Sequence, residues 1–341
     1  MERVMESTTK IDPVAGPSLW SADELTARDD WIIRLDAKAL DDIATALDGV
    51  KRRHRALEDI MARDFPLPSM AAQLSAISGL LSDGPGVCLV RGLPVDLYER
   101  DDLAFILWGI GTHLGTPGAQ SVHGDMIVDV MDMSHTGDAD RAYRSPRPQH
   151  LHTDSIDVTG LLCLRRAKSG GTSLITSSLA VHNAILAERP ELLAPLYRGY
   201  HHRRSGQTST GEPPLSSHRI PVFGRRVGKL TCYFNDISIG RSLSEDDIEN
   251  DVAALEAFEV FKTTAARDGL LYRTMLEPGD LQFLNNRTVM HGRTAFEDFD
   301  EVDRKRLMLR LWLKMSDWPD SPENMTLHRD RKTPKKEGAP V

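Results

Sequence analysis

Cysteine is scarce: three residues in a chain of 341. Cys88, Cys163 and Cys232 each sit in an apolar, strand-like run, so reduced core positions are expected rather than a disulfide framework. No apolar run approaches the roughly 18 residues of a membrane-spanning helix. Met1 to Pro17 mixes acidic and polar residues with no apolar stretch of the kind that marks a secretory signal. A cytoplasmic protein with no membrane partner is the expectation. Positive charge is not in excess either. Lys and Arg number 42 against 50 Asp and Glu, a formal net charge of −8, which argues against a general nucleic-acid binder. Two basic clusters remain: Lys51 to Arg55, read as a solvated helix face, and His201-His202-Arg203-Arg204. Internal repeats and an evident exposed apolar surface are both missing, and a structural interaction module would need one of them.

What is present is an ordinary globular composition, 40% hydrophobic, long enough for one large domain or two small ones. Residues 1–20 are polar and Pro-containing and are expected to be disordered, and residues 321–341 read as a polar, basic C-terminal tail. Helical periodicity runs from Trp31 to Leu47 and over residues 69–82. Val87 to Val90 reads as a buried strand. Asp101 to Leu114 reads as a helix ended by Gly115 in a left-handed cap. Met126 to Met131, Leu161 to Leu164 and Ser173 to Ser177 read as strands, the last two joined through Gly170-Gly171. A helix from Ser178 to Arg189 is stopped by Pro190. Gly199 to Ser217 is a long Gly/Ser/His-rich insertion, and long loops in compact domains are commonly functional. Arg219 to Phe223 and Lys229 to Phe234 resume strands. Ser244 to Asp268 reads as the clearest helix, capped by Ser244 and striped by Ile248, Val252, Leu255, Phe258 and Phe261. Leu270 to Leu276, Leu281 to Leu284 and Leu307 to Leu313 close the fold. Strands on both sides of the insertion suit a single domain, residues 21–320, rather than two.

The chemistry gathers at Gln149-His150-Leu151-His152-Thr153-Asp154 and, far downstream, at Val289-Met290-His291-Gly292-Arg293-Thr294. On a strand, His152 and Asp154 project to one side and Thr153 to the other. A lone His-x-Asp is common by chance and by itself reads as a solvated loop or a hydrogen-bonded pair. With His291 it makes two imidazoles and one carboxylate. Such a set leaves one face of a metal open, which suits non-haem Fe(II) and its need for vacant positions for a co-substrate and O₂. Arg306 and Arg310 stand in an otherwise apolar strand. Buried there, a guanidinium calls for a carboxylate, and its fork matches one bidentately.

The ordered series of His152-x-Asp154, Gly170-Gly171-Thr172-Ser173, Pro278-Gly279-Asp280, Asn285-Asn286, His291 and Arg306 to Leu313 resembles the TauD/TfdA family. These are the clavaminate-synthase-like Fe(II)/2-oxoglutarate dioxygenases. The resemblance covers roughly residues 85 to 315. It implies a mixed α/β (α+β) fold with a double-stranded β-helix, or jelly-roll, core and N-terminal and inserted helices. It implies metal ligation by His152, Asp154 and His291. It also implies an arginine on the far carboxylate of 2-oxoglutarate: Arg306 first, Arg310 second, the latter able instead to reach an anionic substrate. A hydroxyl beside that carboxylate falls to Ser173, where a threonine is usual, or to Thr172.

Gln120, Asn286 and His150 are expected to line the pocket or touch the ligands, with turn formation the alternative for asparagine. Arg203 and Arg204 lie in the insertion, which is expected to close over a small, anionic substrate. Because Asp154 is present rather than a small residue, the resemblance implies hydroxylation, desaturation or another oxidation rather than halogenation. The competing reading is a non-catalytic or Zn-binding cupin-like jelly roll, which would not need the buried arginines. Homo-oligomerisation stays open.

Overall fold

The structure is a computed structural model that describes residues 11–121, 123–134, 142–204, 213–244 and 252–325. Its frame is two β-sheets with helices against the outer side of each. In the larger sheet Ile32–Arg34, Val87–Arg91, Leu281–Asn285, Val158–Arg165 and Leu307–Lys314 lie side by side in that order. Thr116–Pro117 and Ile127–Val130 both pair with the last of these. The smaller sheet runs Tyr272–Thr274, Ser173–Ser177, Val289–Arg293, Gln149–His152. Its pairings are antiparallel. This is the expected jelly-roll core with added helices.

Strand alternation decides what lies between the sheets. Along Leu307–Lys314, Leu307, Leu309, Leu311 and Leu313 pack outward on the N-terminal helices. Those helices are Ala37–Arg52, Ala71–Ser82 and Arg100–Leu114. Met308 turns the other way, into an inter-sheet layer with Cys163, Leu89, Ile175 and Val289. Arg310 and Trp312 share the Met308 side. In the smaller sheet Met290 faces a second helical layer, so His291 and Arg293 face inward. That layer is built from Ser178–Glu188, Leu193–Arg198 and Val252–Ala265. The three cysteines are buried and unpaired, as expected. Among the described residues, no helix is long and apolar enough to cross a membrane.

Several expectations need correction. The periodicity read from Trp31 belongs to a strand and a helix in succession. Ile32–Arg34 pairs in parallel with Val87–Arg91, and the helix starts at Ala37, where Asp36 accepts from the Ala39 amide. Gly115 does end its helix, but at φ −170, extended rather than left-handed. The helix Ser178–Glu188 does stop before Pro190 as expected, and Pro190 itself begins a short 3₁₀ turn that leads into Leu193–Arg198, because proline is tolerated in a first helical turn. Arg219 to Phe223 is not a strand. The strand is Phe223–Arg226, turned through Val227-Gly228 onto Lys229–Cys232. Ser244 caps the C-terminal end of a helix the sequence reading missed, Asp236–Leu243. The next helix, Val252–Ala265, buries Ala254, Ala257, Phe258 and Phe261, while Val252 and Leu255 are exposed. Ile248 lies outside the described residues.

Of the N-terminal segment expected to be disordered, residues 11–20 are placed against the core, as are residues 321–325 at the start of the polar tail. Val14, Trp20 and Met325 are buried, and the Trp20 indole donates to the Pro85 carbonyl. The remaining residues of both ends, 1–10 and 326–341, lie outside the described residues, as do 205–212 of the insertion. The insertion's ends are not loose: Tyr200 bridges Ile220 and Arg203 bridges Leu215.

Candidate active site

His152 closes its strand directly opposite His291, which brings the two rings to 4.4 Å between centroids. Asp154 lies two residues beyond the strand end. Thr153 turns away, its amide and hydroxyl donating to the Phe234 carbonyl. Asp154 Oδ1 is 3.7 Å from His152 Nε2, and Oδ2 is 3.7 Å from His291 Nε2. One ligand atom from each residue falls within 4.8 Å of the others, and all three side chains are buried.

Neighbouring groups fix this geometry. His152 Nδ1 lies 2.9 Å from the His150 carbonyl. A carbonyl only accepts, so Nδ1 carries the proton and Nε2 keeps its lone pair toward the centre. Asp154 Oδ2 accepts from the Thr159 hydroxyl at 2.7 Å and the Trp312 indole at 2.9 Å. Asn286 Oδ1 accepts the Asp154 amide, and its Nδ2 donates to Thr159. Burial would raise the Asp154 carboxyl, but Arg310, His291, His152 and Thr159 outweigh it and hold it well below the usual carboxylate range. Burial, helped by His152 and Arg310, pushes His291 down to about 3. The centre therefore holds an ionised Asp154 and a neutral His291, with the lone pair of His152 Nε2 aimed inward, the donor state that a divalent metal requires. The Gln149 amide nitrogen, 3.3 Å from His152 Nε2, lies against the lone pair a metal would take.

His291 also borders a pocket between the sheets, with Tyr143, Gln149, Ser173, Arg293, Arg306, Met308 and Arg310 among its walls. Among the described residues, the Arg306 guanidinium donates only to the Met308 sulfur at 3.0 Å and the Val130 carbonyl at 3.4 Å. Its guanidinium does not pair with Asp298, which accepts from the Arg306 backbone amide. Glu297 is bound to Lys168. Burial lowers the Arg306 pKa. Gly171, at φ +75, lets the chain turn close by; a Cβ there would be 3.3 Å from Arg306 Nε. Arg310 is held differently. Its Nε donates to Gln120 Oε1 at 2.6 Å, its Nη1 is 3.7 Å from Asp154 Oδ1, and its guanidinium lies over the Tyr143 and Trp312 rings.

A family model described as "Taurine catabolism dioxygenase TauD, TfdA family" matches residues 53–312. The chain belongs to that family. It is a non-haem iron dioxygenase that uses 2-oxoglutarate, and His152, Asp154 and His291 are a donor set fit to hold the iron. The cupin-like alternative falls away. The chain is 28% identical to FR-33289 synthase of Streptomyces rubellomurinus (strain ATCC 31215), over 93% of this chain and 95% of that protein. Its fold resembles asparagine oxygenase in complex with Fe(II), 2S,3S-3-hydroxyasparagine and succinate. There the TM-score is 0.67 at 19% identity, covering 83% of this chain and 93% of the other. It also resembles the non-haem iron oxygenase OrfP in complex with Fe and alpha-ketoglutaric acid, with TM-score 0.64 at 16% identity, covering 84% and 94%.

Within this dioxygenase, the other residues singled out from sequence fall into place unevenly. Ser173 reaches the pocket, its hydroxyl donating to Gln282 Oε1 at 3.2 Å. Thr172 is not in the pocket wall, and its amide donates to Thr294 Oγ1. Gln120 is buried and clamps Arg310, its amide also donating to the Arg310 and Met126 carbonyls. Asn286 holds Asp154 rather than forming a mere turn. His150 contributes its carbonyl, while its side chain is exposed. Arg203 and Arg204 are outside the pocket wall, and their amides donate to the Ser238 and Pro214 carbonyls.

The sequence reading passed over Trp312, Thr159, Gln149, Tyr143 and Arg293. Two of these had a signal. Trp312 is two residues from Arg310 and Arg293 two from His291, so alternation alone put them on the site's side.

Gly292, between His291 and Arg293, is pressed against the neighbouring ligand strand. A Cβ there would stand 2.6 Å from the Gln149 carbonyl oxygen, a backbone atom. Gly292→Ala is expected to cost about 1–3 kcal/mol, the range for overpacking, and to weaken iron binding by pushing His152 away from His291. Thermal denaturation and iron titration check this; if both match the parent, the strands have slack that the geometry denies.

Proposed function

We propose that this dioxygenase oxidises a small anionic molecule, by hydroxylation or desaturation, while 2-oxoglutarate is converted to succinate and CO₂. Arg306, with Ser173 beside it, holds the far carboxylate of 2-oxoglutarate. Arg310 receives the anionic group of the substrate. The placement of Arg310 carries this reading. Gln120, Tyr143 and Trp312 hold its guanidinium in one orientation at the mouth of the metal centre, beside Asp154. Three guanidiniums line the pocket and, among the described residues, no carboxylate does; Asp154 stands beside Arg310, while Asp298 and Asp132 act on the other two arginines without pairing with them. With a divalent metal and dianionic 2-oxoglutarate in place, positive charge remains in excess, which favours an anion as the third occupant. The structural neighbours that hold hydroxyasparagine or hydroxyarginine support an amino-acid-like molecule as the starting point for a search.

The bound iron and co-substrate supply the oxidising power, using O₂. The chain's own residues place the reacting groups. Asp154 and the two imidazoles orient the metal, Trp312 and Thr159 fix the carboxylate oxygen that faces away from His152, and the inter-sheet layer keeps bulk water out. Under nitrogen, Fe(II) with 2-oxoglutarate should give the weak visible charge-transfer band of a chelated 2-oxo acid. On admission of O₂, amino acids and other small carboxylates, phosphonates and sulfonates can be screened for substrate-stimulated succinate release and a mass change in the substrate. Stimulation by neutral or cationic compounds alone would overturn the anionic assignment. Absence of the band would overturn the placement of the co-substrate.

A further inference from the structure

Arg293 is the third buried guanidinium in the pocket wall, beside Arg306 and Arg310, and it has so far counted only as charge, with no ligand of its own. It is 4% exposed. Its Nη2 donates to the Ser145 and Arg147 carbonyls at 2.9 and 2.6 Å, while Nε and Nη1 are buried with no partner. It lies over the Phe296 ring at 4.5 Å, and Arg306 lies over the same ring at 5.3 Å. No carboxylate of the described residues comes within 4.0 Å of either guanidinium. Opposite Arg293 in the strand register is Ser173, which bonds Gln282, and the Gln282 Nε2 is likewise buried without a partner.

The region therefore collects unmet donors, and the one unmet carboxylate oxygen nearby, Asp298 Oδ2, does not pair with either guanidinium. Two like charges lie over one ring, both buried, an arrangement that is costly unless something answers it. A carboxylate answers it well, because it is acceptor-only and carries about four lone-pair sites on two oxygens. The same guanidinium is tied through Nη2 to the segment Ser145–Arg147, two residues from Tyr143, whose ring lies over Arg310. Arg293 thus stands between the two anion sites.

We propose that Arg293 is a positioning and specificity residue for the co-substrate: its charge and free donors, beside Arg306, make the pocket select a dicarboxylate 2-oxo acid. Through Ser145 and Arg147 it also sets the wall that carries Tyr143. This rests on the reading that the far carboxylate lies at Arg306, and the test separates the two.

The parent, Arg293→Met, Arg293→Lys and Arg306→Leu are loaded anaerobically with Fe(II). They are titrated with 2-oxoglutarate, following both the charge-transfer band and the heat of binding, and then with pyruvate, which has no far carboxylate. Arg293→Met should bind 2-oxoglutarate about ten- to a hundredfold more weakly, the range for losing a hydrogen bond to a charged group. Its affinity for pyruvate and for Fe(II) should be unchanged. Arg293→Lys, which keeps the charge, should recover part of the loss. It also serves if Arg293→Met does not fold. Unchanged discrimination between the two acids in Arg293→Met, or an equal loss for both, overturns the proposal. If Arg293→Met loses 2-oxoglutarate and Arg306→Leu does not, the proposal stands and Arg306 is the residue wrongly placed.

Discussion

His291→Ala will lose Fe(II) binding and turnover together and keep its fold. The strand it occupies is held by backbone pairing on both sides, to Ser173–Ser177 and to Gln149–His152. That pairing does not use the imidazole. Its Nδ1 makes no hydrogen bond among the described residues, and burial keeps the ring neutral, pushed down to about 3. Truncation therefore removes neither a charge nor a bonded partner, and only a cavity remains to weaken the fold. The metal loses one of three ligands. The loss should exceed the roughly 10- to 100-fold that follows removal of a ligand's outer partner. Iron content after reconstitution and desalting measures the first effect, and substrate-stimulated succinate release the second. A His291→Ala protein that retains iron and turns over normally would remove the triad as the metal centre. His152→Ala should behave alike, with one difference. It also frees the His150 carbonyl, so some added mobility at that strand end is expected in hydrogen exchange.

Much of this site was legible before any coordinates, and the reasons differ by residue. His152, Asp154 and His291 could be found because metal ligation demands specific side chains at short spacing, and because glycines and arginines in order accompany them. Arg306 could be found because an isolated charge in an apolar strand is costly unless something pairs it. What pattern alone did not reveal is which buried polar side chains serve the ligands. Trp312 reads as one more apolar position of a closing strand, yet its indole bonds Asp154. Gln120 was recognised only as a polar residue in a loop, and its task depends on Arg310, distant in sequence.

The elements misread share a cause. Residues 31–34 and 244–268 carry apolar spacings that fit more than one local structure. Pairing with Val87–Arg91 decided the first, and packing of Phe258 and Phe261 beside Phe234 decided the buried face of the second. Both are long-range contacts, to which a periodicity argument is blind. The polar terminus misled in the same way: Val14 and Trp20 find buried places that composition does not advertise.

Arg306→Leu should separate stability from binding more sharply than any other change. Among the described residues the buried guanidinium has no carboxylate partner, only a sulfur and a carbonyl at the limit of a hydrogen bond. Its pKa is lowered by burial, which means that the fold bears the cost of keeping it charged. An isobutyl group in its place would meet Phe296 and Met308, both apolar, so the ligand-free variant should melt at the same temperature as the parent or higher, as when buried charges are exchanged for apolar groups. For 2-oxoglutarate the sign reverses. With Arg306 on the far carboxylate, as proposed, that carboxylate should lose its charge-assisted fork, a change on the order of 2–5 kcal/mol, or roughly 30- to several-thousand-fold in affinity.

Thermal denaturation without and with 2-oxoglutarate gives both numbers from one protein. The parent's melting temperature should rise on adding the co-substrate, and that rise should vanish in Arg306→Leu. Arg310→Leu is the necessary companion. It removes the cation that helps keep Asp154 ionised and leaves Gln120 Oε1 without its donor, so it should weaken substrate use and iron retention, while 2-oxoglutarate still stabilises whatever iron-loaded fraction remains. If the effects come out exchanged, with the co-substrate shift intact in Arg306→Leu and gone in Arg310→Leu, then Arg310 holds the far carboxylate. In that case the substrate's anion belongs beside Arg293 and Arg306, deeper between the sheets.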